Sequence, residues 1–184
     1  MRSHHKFWPR RLPHSLTVPS TSLWDNLAIS AQRYPDKVAL VFFGRTLTYR
    51  QLKEGAERLA AYLATLGVKR GDRVALWLPN VPAYPILYLA CIRLGAIAVA
   101  VNTRYRAVEV ADIVGRSGAK ALACAPGFRR MDFLAILADI EPESLDRLSA
   151  VVTVGDEPAS VPSGIERLRR VPFERLLSRP RLGL

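Results

Sequence analysis

The chain has 184 residues, 49% of them hydrophobic and 23% charged, with a formal net charge of +11. That length fits one domain or one large subdomain, and that composition supports a packed core, so a wholly disordered chain is excluded. A transmembrane helix, which needs about 18 or more consecutive apolar residues, is not expected: the best apolar stretch, Val81 to Val101, is broken by Pro82, Pro85, Arg93 and Gly95.

Residues 1–20 read as an extended basic segment, with Arg2, Lys6, Arg10 and Arg11 and no acidic residue. Pro9, Pro13 and Pro19 block helix there, and Trp8 and Leu12 are placed to pin the segment to the body. It lacks the apolar core of a secretory signal. Ser22 to Tyr34 reads as a helix, since Leu23, Leu27 and Ala31 recur at helical spacing and Pro35 follows. Val38 to Phe43 is a β-rich run, and Gly44-Arg45 turns it into Thr46 to Thr48, which predicts a small hairpin.

Tyr49 to Leu66 is a strongly amphipathic helix with Leu52, Ala56, Leu59, Ala60, Leu63 and Leu66 on one face. Thr48 and Gln51 form a capping-box pair at its start, and Gly67 stops it. Lys69 to Asp72 is a polar turn, with Asp72 in a turn role, and Val74 to Leu78 a buried strand. Pro82 to Leu94 is an apolar helix ended by Gly95, and Ala96 to Val101 reads as a central parallel strand, apolar on both faces. Val108 to Ser117 is a helix, Ala121 to Ala125 a strand, Met131 to Ile140 a helix and Ala150 to Val154 the last clear strand. Beyond Glu157 the chain is rich in proline and arginine, with one short helix expected at Phe173 to Ser178.

Strands alternating with helices predict a doubly wound α/β fold: a mainly parallel sheet flanked by helices, with a small N-terminal β-hairpin. The expected division is an extended basic segment at 1–20, the α/β subdomain at 21–156 and a tail at 157–184. The charge is uneven, because 1–20 and 161–184 carry +4 each and the middle holds only +3. A near-neutral body with basic ends makes nucleic-acid binding an unlikely function, while contact with anionic lipid stays open.

Cys91 and Cys124 both lie in apolar segments and are expected as buried thiols, which suits a reducing cytoplasm. His4, His5 and His14 all sit in the N-terminal segment, so no metal site and no catalytic histidine can be assembled. The one phosphate-loop lookalike, Gly115 to Lys120 (GRSGAK), has the wrong spacing and lies between a helix and a strand; it reads as a helix stop with a polar turn. Asn80 and Asn102 follow strands and could face a strand-end pocket, but helix capping is the preferred reading for Asn80 and a turn or cap for Asn102. Trp24, Trp77, Tyr84, Tyr88 and Tyr105 read as packing residues, and Glu54 and Glu57 as the solvated face of their helix. The sequence thus assigns no catalytic residue and no metal ligand, and leaves cofactor-binding residues unknown.

LTYRQL at 47–52, LGVKRGDRVALWLPN at 66–80 and CIRLGAIAVAVNTRYRAVEVADIVGRSGAK at 91–120 form a specific set in a fixed order. Together they resemble the N-terminal region of the AMP-binding, adenylate-forming acyl-CoA synthetases. The FWPRRLP opening and the segment TSLWDNLAISAQRYPDKVALVFFGR lean toward long- or medium-chain fatty acid–CoA ligases. Ala107 departs from a proline common there, without consequence for the fold.

The resemblance implies a truncated N-terminal subdomain of the adenylate-forming fold. It implies a family activity in which ATP, with Mg²⁺, activates a fatty acid to an acyl-adenylate that passes to coenzyme A. The phosphate loop, the Tyr-Gly-x-Thr-Glu segment, the ribose-binding aspartate and the catalytic lysine of that family do not occur in these 184 residues. The chain alone is therefore expected to bind none of these cofactors and to be inactive: a fragment, or one piece of a split enzyme. The alternative is a non-catalytic interaction module that pairs with a separate C-terminal part or a full-length relative. A third, weaker reading is a nucleic-acid binder driven by its basic ends.

Overall fold

A computed structural model of the chain describes residues 6–128, 131–155, 165 and 168–173. Five parallel strands form one sheet: β3 (Arg73–Trp77), β4 (Ile97–Ala100), β5 (Ala121–Cys124), β8 (Ala150–Thr153) and β9 (Arg169–Pro172), in the order β4-β3-β5-β8-β9. Val74 sits between Ala98 and Ala121, and Leu122 pairs with Val151. β1 (Val38–Phe42) and β2 (Arg45–Thr48) form the separate hairpin, and β6 (Gly127–Phe128) and β7 (Met131–Asp132) a two-residue ribbon.

The strand order dictates where the helices lie. The chain steps from β3 to β4 in one direction, then reverses and crosses to β5 and β8. Right-handed crossovers place the helices of the two directions on opposite faces. α3 (Ala83–Leu94) accordingly packs with α1 (Leu23–Arg33) and α2 (Tyr49–Thr65), while α4 (Ala107–Ser117) packs with α5 (Phe133–Ala138) and a 3-10 turn at Pro142–Leu145. The doubly wound parallel sheet with an added hairpin is the expected fold.

Helix ends follow the sequence signals closely. Thr48 Oγ1 accepts from Gln51 N at 3.2 Å and Gln51 Oε1 from Thr48 N at 2.9 Å, a complete capping box. Ser22 and Asp25 make the same arrangement at α1. The hydrogen bonds that Asp25 accepts from Ser22 hold its carboxyl below the usual range. Gly95 ends α3 in the left-handed conformation at φ 68°. Lys69 N donates to Asp72 at 2.8 Å, confirming the turn role of Asp72, and that bond is the main reason its carboxyl is held low. The GRSGAK segment is a helix stop as expected. Arg73 donates to Ser117 O, and Lys120 Nζ reaches Gly67 O at 2.6 Å and Asp72 at 3.3 Å.

Several expectations change. β4 lies at the edge of the sheet rather than its centre, with Ile97 52% exposed. Small alanines at 98 and 100 make an apolar strand tolerable there, and its composition could not distinguish edge from centre. The hairpin turn is Phe43-Gly44, one residue earlier than expected, with φ of 44° and 77°. Positive φ at both central residues is the type I′ pattern of a two-residue hairpin loop, so Phe43 takes a conformation that suits glycine. α5 starts two residues late because Met131 and Asp132 join the ribbon, and Asp132 then caps the helix through Ala135 N at 2.9 Å.

Within the stretch expected as a tail, β9 extends the sheet, and Ile165, Leu168 and Phe173 are buried in the core. The expected helix at Phe173–Ser178 lies outside the described residues, apart from Phe173. Glu54 and Glu57 are half-buried rather than fully solvated, and Glu57 pairs with Lys53 one turn away. Helix α2 is covered on more than one side, with Gly55, Ala61 and Tyr62 buried beyond the expected face.

Both cysteines are free and buried, and burial pushes each thiol up to about 12. Two outcomes are expected. Thr48→Ala should lower stability by about 1 kcal/mol, the usual worth of an N-cap, read from urea denaturation. A thiol reagent at mildly alkaline pH should leave Cys91 and Cys124 unmodified in the native protein and modify both in urea, read by intact mass.

Candidate functional site

In an open parallel sheet, ligands meet the carboxyl ends of the strands where the winding reverses. Here that point lies around β3, the strand with β4 on one side and β5 on the other. The structure has an open cleft of about 1530 Å³ at this place. Its floor is the segment after β3, Leu78 to Val81, and the segment after β4, Val101 to Arg106. Phe42 and Phe43 close one side from the hairpin, with Tyr84 from α3, Ile113 from α4 and Met131 from β7 on the walls.

Trp77 organises the cleft from below. It is fully buried at the end of β3, and its Nε1 donates to Asn102 O at 3.1 Å. Its ring meets Phe133 edge-on at 4.5 Å and 83°. The loop after β4 is thus tied to the central strand. Asn102 shapes the loop further, because its Oδ1 accepts from Arg104 N at 2.9 Å and its O from Tyr105 N at 3.1 Å. This is the turn role expected for Asn102, at a residue that also lines the cleft.

Asn80 is a correction. The N-cap of α3 is Pro82, without a side-chain cap, and Asn80 instead stands exposed on the cleft. Trp77 and Tyr88 pack as expected, and Trp24 is half-buried beneath Arg93 at 5.3 Å. Tyr84 and Tyr105, expected only to pack, line the cleft.

The polar groups of the cleft come from Asn80 and the 102–106 loop, and two of them are the exposed Arg104 and Arg106. Arg106 N donates to Glu109 Oε2 at 2.9 Å, which starts α4 and holds the Glu109 carboxyl below its usual range. The Arg106 guanidinium reaches the thioether of Met131. A largely apolar lining with two cations on one loop suits a ligand that is apolar at one end and anionic at the other. Among the described residues no aspartate or glutamate lines the cleft, and no cluster of three metal-ligating side chains exists. The residues present therefore fit the anionic groups of a nucleotide or a thiol carrier, but not a Mg²⁺ site.

Sequence reasoning did not find Phe42, Phe43, Arg104, Arg106 or Met131. The signal for the arginines was their position just after a strand. The hairpin and ribbon residues carry no such signal, because only the tertiary fold brings them there.

The fold and the strand-end cleft define a class, the adenylate-forming enzyme fold. An anthranilate CoA ligase, AuaEII, in complex with anthranoyl-AMP superposes with a TM-score of 0.74 at 25% identity, over 87% of this chain and 28% of that one. A protein from Rhodopseudomonas palustris described as a long-chain-fatty-acid CoA ligase gives 0.73 at 29% identity, over 89% of this chain and 38% of that one. The chain belongs to the AMP-binding enzyme family, whose sequence model matches residues 27–172.

A long-chain-fatty-acid–CoA ligase of Bacillus subtilis (strain 168) is 40% identical over 103 residues, which are 56% of this chain and 18% of that protein. The mitochondrial medium-chain acyl-CoA ligase ACSF2 of Bos taurus is 38% identical over 119 residues, 64% of this chain and 19% of that protein. The chain thus spans just under a fifth of the length of these curated relatives.

Replacing Trp77 by phenylalanine should cost roughly 1–3 kcal/mol, since it removes one of the two donors to the Asn102 carbonyl and leaves a gap in the core where the indole was. Hydrogen exchange should accelerate in the 102–106 loop and remain unchanged in α1; unchanged exchange in the loop would show that Trp77 does not hold it.

Proposed function

We propose that this chain supplies one wall of the substrate cleft of an acid–thiol ligase, in which a fatty acid is activated with ATP to an acyl-adenylate and transferred to coenzyme A. The observation that carries the reading is the strand-end cleft, largely apolar in its lining and cationic along the 102–106 loop. The fatty-acid ligases among the similar proteins support the substrate class. The chain alone is not catalytic. Adenylation needs phosphate oxygens neutralised by backbone N–H groups, a cation and a metal, and the sequence holds no glycine-rich loop followed by lysine and serine or threonine. A cytoplasmic setting accords with two buried free thiols.

A second reading is a non-catalytic module that pairs with a separate C-terminal part or a full-length relative. The edge of β4, apolar from Ile97 to Ala100 and without a strand partner among the described residues, favours it. A clean monomer in sizing experiments would count against it.

The ligase reading is tested with a chimera in which residues 27–172 replace the matching segment of the Bacillus subtilis ligase. Fatty-acid-dependent ATP–pyrophosphate exchange by the folded chimera is the expected result, with none from the 184-residue chain alone. A folded but inactive chimera overturns the proposed role, and exchange by the chain alone overturns its dependence on a further part.

A further inference from the structure

We infer that Arg73, at the amino end of β3 and outside the cleft, is a positioning residue for the cleft, a role that rests on reading the cleft as a ligand-binding wall. Arg73 and Trp77 together clamp both ends of the 102–118 segment onto one strand, and the placement of Arg104 and Arg106 follows from that clamp. The two residues are the first and last of β3. Side chains alternate between the faces of a strand, so 73, 75 and 77 share one face. Trp77 meets Phe133 of α5 there, and α4 packs with α5.

At the start of the segment, Trp77 Nε1 donates to Asn102 O at 3.1 Å. At its end, Arg73 Nε donates to Ser117 O at 2.5 Å and Nη2 to Gly118 O at 3.5 Å. Nη1 donates to Gly71 O at 3.2 Å, which fixes the guanidinium against the turn before β3. A Cβ at position 118 would come within 2.9 Å of Arg73 Nη2, so glycine there leaves room for the guanidinium. The backbone adds a further tie, because Lys120 N donates to Arg73 O at 2.9 Å.

The last carbonyls of a helix have no partner within it and form the negative end of its dipole. A guanidinium there supplies a donor and a charge, and such bonds are stronger than neutral ones. This end tie weighs more for α4 than it would for α2. Only Val110 and Val114 are buried among the 11 residues of α4, whereas eight of the 17 in α2 are buried. Burial of apolar area is non-directional, so two valines leave the helix free to slide along its axis. The bond at Ser117 sets that position. A hydrogen-bonded helix transmits it as a rod to Arg106, which precedes Ala107 as the N-cap. Arg106 N to Glu109 and Arg104 N to Asn102 Oδ1 then carry the constraint into the cleft loop.

The test is the proton–nitrogen NMR spectrum of the full chain, read at the Trp77 indole N–H, with the indoles of Trp8 and Trp24 as internal references. Residue 73 lies about 13 Å from Trp77 along the strand, at roughly 3.3 Å per residue, so a substitution there does not itself touch the indole. Arg73→Gln should move the Trp77 indole proton upfield, as its bond to Asn102 O lengthens, and should shift the amides of Arg104 and Arg106. The Trp8 and Trp24 indoles should stay in place. Arg73→Lys keeps the charge but not the fork, and should give a shift between those of the native chain and Arg73→Gln. If Arg73→Gln does not fold, the comparison of Arg73→Lys with the native chain decides. Shifts confined to 115–119 would make Arg73 a local helix cap and overturn the inference, as would an equal shift of the Trp24 indole, which marks general loosening. The outcome is separable from the ligase reading: an inactive chimera leaves the indole result standing, and an unmoved indole leaves the chimera result standing.

Discussion

The strand-end architecture depends on Trp77. It closes the central strand, lies edge-on against Phe133 of α5 and donates its indole N–H to the carbonyl of Asn102. One side chain thereby joins three parts of the fold that are distant in sequence. Both the apolar contact and the hydrogen bond are needed. A buried indole without a partner would bear the cost of an unsatisfied donor, and the Asn102 carbonyl would keep only Tyr105 N. Because the bond is made two residues beyond β4, it fixes where the cleft-lining loop departs. The Asn102 side chain then sets how that loop turns, and Arg104 and Arg106 project from the result.

Topology explains why the cleft lies there. The reversal at β3 sends α3 to one face of the sheet and α4 to the other, so the connections on either side diverge and leave a crevice at the carboxyl ends. The same reversal puts β4 at an edge. Its outer backbone groups have no strand partner among the described residues, and its side chains are too small and apolar to blunt that edge as charged residues or prolines would. Cleft and open edge are therefore two consequences of a single change in winding direction.

Local elements were legible in the sequence because their causes are local. The capping boxes at Ser22 and Thr48, the glycine stops and the alternation of helix with strand involve residues within a few positions of each other. The misses depend on distant partners. Whether Ala96 to Val101 is central or at an edge is decided by strand order, not by its own pattern. β9 is brief and follows a proline-rich stretch, so nothing local marks it as the neighbour of β8. Asn80 has the residue type of a cap and the position of a ligand contact, and only the placement of Pro82 at the start of α3 decides between them. Phe42, Phe43 and Met131 enter the cleft from a hairpin and a ribbon whose positions no periodicity encodes.

The cleft is asymmetric in a way that bears on chemistry. Its apolar residues come from five different elements, whereas its two cations come from a single loop beside Asn102. An acyl-adenylate has the same division, an apolar chain at one end and a phosphate at the other. Such a wall can bind and orient both ends of a ligand through burial and charge without performing the reaction. Orientation draws on apolar area and fixed charges, which this chain has. Adenylyl transfer draws on a metal and on backbone donors converging on the phosphates, and among the described residues no carboxylate lines this wall to hold a metal. Binding surface and reactive machinery need different residue types, so they can be carried by different stretches of a polypeptide.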